Sequence, residues 1–307
     1  AMFAVCCIGG AVGGGNMFQA NQAYQQVVNV TGGAESFFAD KGWLFGVGLS
    51  ILVGVVILGG IQSIGNVASR LVPVMGAVYM LAGFTVLIIF YESIPSALTT
   101  IWDSAFSMQA GLGAFLGGIL NGVQRAAFSN EAGLGSAAIV HSTAKTDNHI
   151  SQGLVAMLGP FIDTVVICTM TALVITVTGV YATIPDGVDV QGVSLTSEAF
   201  GAGVSWFPYV LALTVFLFAY STIITWSYYG EKAFTFLCGE NRILRYAYKT
   251  LFCLFIIIGS STELSSIISF TDAMILSLGI PNIVGLYMLA PELKADLKDY
   301  IAKMKGQ

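Results

Sequence analysis

Two side-chain amides, Asn16 and Gln19, interrupt an apolar stretch that reads Gly13-Gly14-Gly15-Asn16-Met17-Phe18-Gln19. Three residues apart, they share one helix face. Amides so placed can hydrogen-bond a small zwitterion while Phe18 closes over it, or they can hold one helix to another. A second candidate is residues 111–122, with five glycines in twelve residues. Glycine costs about 1 kcal/mol in a helix interior, so this density predicts a local break. Backbone groups freed there, around Gly117, Gly118 and Asn121, would line a substrate cavity, because lipid does not tolerate them. Close packing through small residues is the other reading of the same glycines.

Other residues offer less. Asp163 and Asp272 fall within apolar segments, where a charge is expensive and must face protein or water. Asp163 fits either an ion path or a pairing with a neighbouring helix. Asp272, after Thr271, reads as the N-cap of a helix restarting there. His141 and His149 share one polar loop without ligand-spaced partners and read as solvated. The cysteines (6, 7, 168, 238 and 253) lie in apolar segments without CxxC or zinc spacing and read as small buried hydrophobes. No GxxxxGK[ST], HExxH or GxSxG motif occurs, which argues against an ATP-driven pump, a zinc protease and a serine hydrolase on this chain.

The elements that must position these residues are membrane helices. Of 307 residues, 56 % are hydrophobic and 9 % charged, and mean hydropathy is +0.81. A water-facing surface needs far more charge, so soluble and disordered classes are excluded. A net charge of −5 without a basic block speaks against nucleic acid as a partner. At about 20 residues per span, apolar runs fall at about 1–28, 43–60, 71–91, 109–128, 153–180, 204–229, 246–261 and 264–290. No long β-alternation suggests a barrel. The sequence opens directly in an apolar run without a basic n-region, which reads as a helix already under way rather than a signal peptide.

Charge orients the spans. With the loop 31–42 outside, alternation puts 92–108, 181–200 and 262–263 outside too. Those loops carry eight acids and one base, Lys41, whereas the other eleven of the twelve Lys+Arg fall inside. The positive-inside rule then predicts a multi-pass cell-membrane protein with a cytoplasmic C-terminus. Residues 291–307, with Leu293, Leu297, Tyr300, Ile301 and Met304 on one face, predict a short amphipathic helix at the cytoplasmic interface or a solvated tail.

The stretch Arg125-Ala126-Ala127-Phe128-Ser129-Asn130-Glu131-Ala132-Gly133-Leu134-Gly135-Ser136-Ala137-Ala138 resembles the signature around the sixth core helix of the alanine or glycine:cation symporters, the sodium:alanine symporter family. The resemblance continues through Gln152–Gly159, Phe161-Ile162-Asp163-Thr164 and Cys168–Val174. It resumes at Ala219-Tyr220-Ser221-Thr222, Trp226–Lys232 and Ile280-Pro281-Asn282, and Gly15-Asn16-Met17 is in the same style. It covers essentially the whole chain.

The resemblance implies an all-α leucine-transporter fold of two inverted five-helix repeats, of which this chain supplies core helices three to ten. The family's N-terminal part, including the discontinuous first core helix and its Gly-Thr-Gly-Asn motif, is not in the sequence. It implies that Asn16, Phe18 and Gln19 line the substrate pocket, with Thr222 and Trp226 facing it from the eighth core helix. By the same analogy the hydroxyls of Ser221 or Thr222 and the Ala219 carbonyl contribute to a sodium site, hard oxygens suiting an alkali cation. The implied activity is symport of a small neutral amino acid, alanine or glycine, with sodium as coupling ion and no other cofactor. Phe18 and Trp226 would leave room only for a small side chain. No obligatory protein partner is evident beyond the lipid bilayer. Proton coupling on the same fold and a passive channel are the alternatives; a channel's filter sequence is not found. An intramembrane enzyme would need a paired nucleophile and base, which are not visible either.

Overall fold

The computed structural model describes residues 1–106, 111–183 and 192–305, and among these every regular element is helical. In chain order they are α1 (Met2–Val30), α2 (Gly42–Leu58), α3 (Gly60–Ile89), α4 (Ile94–Phe106) and α5 (Gly111–Asn130). The short α6 (Ala137–His141) follows, then α7 (His149–Thr178), α8 (Val193–Gly203), α9 (Phe207–Cys238), α10 (Arg242–Ser261) and α11 (Leu264–Lys305). Six of these, α1, α3, α7, α9, α10 and α11, are long and apolar enough to cross a bilayer, and the 17-residue α2 is shorter but equally apolar. Large apolar side chains such as Val55, Leu81, Ile88 and Met288 point outward. Unrelieved by polar neighbours, such a surface belongs in lipid. The chain is a multi-pass helical membrane protein.

α1 runs through the centre. Its small residues allow close approach, the usual basis of helix association where lipid is as apolar as leucine. α9, α10 and α11 pack around it. Its amides tie it to neighbouring backbones: Asn21 Nδ2 donates to the carbonyls of Gly259 (3.2 Å) and Thr262 (2.8 Å). Gln26 Nε2 reaches Ser197 Oγ (3.0 Å) and the Pro208 carbonyl (3.2 Å). α2 lies on α10, where Ser260 Oγ donates to the Gly42 carbonyl at 2.8 Å. At 32 residues α9 is about 48 Å long. It therefore joins two apolar clusters. One is built on α1, α2, α10 and α11; the other holds Val86, Met170, Val174, Phe200 and Leu211 from α3, α7, α8 and α9 itself.

Several elements depart from the sequence expectation. The span expected at 71–91 begins at Gly60, because Gly60 itself adopts a left-handed φ of 71° and turns the chain directly out of α2. The segments 92–108 and 181–200, expected as outer loops, are partly helical among the described residues, as α4 and α8. The glycine-rich run is not broken where expected. α5 is continuous from Gly111 to Asn130, and the interruption follows it at residues 131–136. Asp272 does not cap a restarted helix: α11 runs unbroken through it, and its carboxylate pairs with Arg125 of α5. The expected interfacial helix at 291–307 is the continuation of α11, through Pro281 and Pro291, as far as Lys305. His149 opens α7 and meets Asp296 of α11 at 3.0 Å, while His141 Nδ1 lies 2.8 Å from Gln152 Nε2.

Candidate functional site

Midway along α1, residues Gly13–Phe18 form a π-helical turn. Such a turn moves backbone carbonyls out of their i→i−4 pairing, and in an apolar interior a freed carbonyl needs another donor. Gln19 supplies it: its Nε2 donates to the Gly14 carbonyl at 3.2 Å. The three glycines let bulky neighbours close on the backbone. A Cβ on Gly13 would meet Thr271 and Phe270, one on Gly14 would meet Ile275 and Thr271, and one on Gly15 would overlap the indole of Trp226. On the far side Gly259 of α10 sits against the backbone of Met17.

Asn16 is wholly buried in this turn. Its Nδ2 donates to the Phe252 carbonyl of α10 at 2.6 Å, so half of the amide joins helices. Its Oδ1 has no partner among the described residues, and neither has Thr271 Oγ1, the hydroxyl beside Gly13. An unmet buried polar atom costs about 1–3 kcal/mol. Gln26 Oε1 and the Tyr248 hydroxyl are unmet as well among the described residues, and Asn16 Oδ1 and Thr271 Oγ1 are the two that flank the turn. Phe18 stands edge-on to Phe128 of α5, centroids 5.0 Å apart.

That contact leads to the second irregular segment. After Asn130 the helix stops, Glu131 takes a left-handed φ of 58°, and Gly133 and Gly135 follow at 79° and 86°. A left-handed glutamate is uncommon, and here side chains hold it. Ser136 Oγ donates to the Glu131 carboxylate, which also lies against the Trp226 indole. Asn130 Oδ1 accepts from Ala132 N at 2.8 Å, and Asn282 Nδ2 of α11 donates to the Gly133 carbonyl at 2.9 Å. α7 meets the break with a π segment of its own, Phe161–Cys168. Ser129 Oγ donates to Asp163 at 2.6 Å, and Asn130 Nδ2 donates to Thr164 Oγ1 at 2.8 Å.

A cavity of about 460 Å³ opens beside the break, with Ser129, Glu131, Asp163, Tyr229 and Asn282 in its wall. That lies within the range of small-molecule sites. Two carboxylates border it and no Lys or Arg does among the described residues, so its field favours a cation or an ammonium group.

The structure thus brings Asn16, Phe18, Gln19 and Trp226 together around one turn. It does not bring Gly117, Gly118 and Asn121 there: they face open space or lie exposed on α5, and Asn121 is some 14 Å along the helix from Asn130. Ala219, Ser221 and Thr222 lie on α9 within two turns of Trp226. α9 is continuous there, so the Ala219 carbonyl is not released by a helix break. Ser221 Oγ donates to the Phe218 carbonyl at 2.9 Å, and Thr225 Oγ1 donates to the Ser221 carbonyl at 2.8 Å. Thr222 Oγ1 alone of the three hydroxyls forms no hydrogen bond among the described residues. Sequence reasoning missed Glu131 as a buried-site residue, along with the Asn282–Gly133 link, whereas the Ser129–Asp163 bond is the pairing with a neighbouring helix that is one of the two readings of Asp163. The signal available was Glu131-Ala132-Gly133-Leu134-Gly135, where two glycines closely follow a glutamate just beyond a helix.

A sodium/alanine symporter of Methanococcus maripaludis is 40 % identical over 94 % of this chain and 62 % of its own length. A probable sodium/glutamine symporter of Bacillus subtilis is 30 % identical over 89 % of the chain and 56 % of its own length. An amino-acid carrier protein of Bacillus subtilis is 29 % identical over 91 % and 59 %. The chain therefore spans about three fifths of the length of these relatives. The model of the sodium:alanine symporter family matches residues 1–307, its members are transporters rather than enzymes, and the chain belongs to that family.

Proposed function

We propose that this chain forms most of a secondary transporter that moves a small neutral amino acid, alanine or glycine, together with sodium by alternating access. One observation carries the reading: Trp226 touches both irregular segments, the π turn at Gly15 and the broken helix at Glu131. Paired helix interruptions near the midplane are the places where transporters of this kind bind substrate and ion. The family membership and the symporter names of its relatives support the same class. The leucine-transporter-like arrangement, with this chain as core helices three to ten, accommodates both interruptions.

In this reading Asn16 Oδ1 and Thr271 Oγ1 are the oxygens reserved for a ligand, and Phe18 and Trp226 limit its size. Thr222, the uncommitted hydroxyl on α9, lends an oxygen to sodium. Binding energy that differs between inward- and outward-facing states drives the change of access. The protein sits in the cell membrane with its C-terminus cytoplasmic, as the distribution of basic residues suggests. The carboxylates Glu131 and Asp163 at the cavity favour one second reading, a proton as the coupling ion.

Uptake of radiolabelled alanine and glycine by the full-length protein in vesicles, with imposed sodium or proton gradients, tests this. Accumulation driven by sodium alone supports the first reading, and accumulation driven by the proton gradient alone supports the second. Equilibration without accumulation would make the protein a channel and defeat both.

A further inference from the structure

A second cavity, of about 680 Å³, opens where α2 meets α3 and α9 meets α10, and it shares no lining residue with the cavity at the break. Its floor is an ion network. Lys249 donates to the Ile57 carbonyl at 2.8 Å and stands 3.3 Å from Glu231. Arg245 lies between Glu231, at 4.0 Å, and Glu240, at 3.4 Å. Two acids thus offset two bases. Two more bases line the same cavity, Lys232 and Arg242, and among the described residues neither has a carboxylate within ion-pair distance. Each is instead held over an aromatic ring: Lys232 over Tyr228 at 5.6 Å and Arg242 over Tyr246 at 5.7 Å. α10 begins at Arg242, so the positive end of its dipole reaches the same place.

The surplus of positive charge adjoins an apolar wall. Leu58 and Ile61, from the end of α2 and the start of α3, line the cavity beside Gly59 and Gly60. α2, α3 and α10 meet it at an end and α9 within its last three turns, and basic pockets between helix ends at the depth of lipid headgroups suit anionic lipid. We propose that this cavity binds the phosphate of an anionic phospholipid, with Lys232 and Arg242 on the phosphate oxygens and the acyl chains along Leu58 and Ile61. Free phosphate offers the same oxygens without the chains, so the two sources separate experimentally.

The full-length protein, purified in detergent, is titrated with phosphatidylglycerol, phosphatidylcholine or inorganic phosphate, and bound lipid is counted by native mass spectrometry alongside the thermal midpoint. Phosphatidylglycerol should bind saturably and raise the midpoint, and phosphatidylcholine and inorganic phosphate should do neither. Lys232→Gln with Arg242→Gln should weaken phosphatidylglycerol about 25-fold, roughly fivefold per charge. Lys298→Gln with Lys303→Gln, the same charge change on α11, should leave it unaltered. Should the first pair fail to fold, Arg242→Gln alone, at an exposed position, carries the test with a fivefold expectation. Equal phosphatidylglycerol binding by wild type and the Lys232/Arg242 variants would overturn the proposal. So would a saturable response to inorganic phosphate that these variants abolish, which would make this a free-phosphate site.

Discussion

Gly15 and Trp226 touch so closely that no side chain fits between them: a methyl group on residue 15 would overlap the indole. The contact joins the π turn of α1 to the middle of α9, and the Glu131 carboxylate meets the same indole. One aromatic ring therefore couples both irregular segments.

Gly15→Ala should destabilise the protein, since overpacking a tight interior costs about 1–3 kcal/mol. Adding Trp226→Leu should return part of that loss, because the ring that is struck is gone. Thermal midpoints of the two single variants and the double variant in detergent measure the coupling. Strict additivity would mean that the two residues are not in contact.

Trp226→Leu should widen the range of neutral amino acids that compete with alanine uptake, and alanine itself should bind more weakly for lack of aromatic contact. Competition profiles of the full-length protein read this directly. An unchanged profile, with the variant folded, would remove Trp226 from the substrate pocket.

Thr222→Val preserves shape and deletes one oxygen that forms no hydrogen bond within the described protein. It should shift half-saturating sodium upward by several-fold while the thermal midpoint moves little. Ser221→Ala should have less effect on sodium, because that hydroxyl is committed to the Phe218 carbonyl. Alanine binding at graded sodium compares them. Because linkage is reciprocal, alanine should raise sodium affinity by the same factor that sodium raises alanine affinity. A normal sodium response in Thr222→Val would shift attention to the carboxylates at Glu131 and Asp163.

Asp163→Asn keeps a hydrogen-bond acceptor for Ser129 but removes the negative charge from the cavity at the break. If that charge helps attract the co-transported cation, uptake should fall at low cation concentration and recover at high concentration. A loss of maximal rate without change in cation dependence would assign Asp163 to holding α5 against α7 instead.

Orientation is tested with cysteines placed at Glu35 and at Asp147, both exposed, in a background lacking the five native ones. A membrane-impermeant thiol reagent added to intact cells should label position 35 and not position 147. The reverse pattern would invert the topology drawn from the basic residues.

Composition and hydropathy were enough to establish a helical membrane protein, because a chain with 9 % charge cannot cover itself in water. The motifs around residues 125–138 and 219–232 were enough to indicate the family. The amides of α1 were likewise legible as special, since buried amides in lipid must have partners. What the sequence could not settle is which backbone gives way. Glycine density at 111–122 pointed to a break there, yet glycine only lowers the cost of leaving a helix. The break falls where partners await its groups: Asn282 of α11 meets the Gly133 carbonyl and the Trp226 indole of α9 meets the Glu131 carboxylate, both from distant parts of the chain, and Ser136 within the break adds a local partner. For the same reason Asp272 is no cap but the partner of Arg125, 147 residues away. Local propensity is written in neighbouring residues, whereas satisfying polar groups inside an apolar interior depends on which helices lie side by side, and only the tertiary structure decides that.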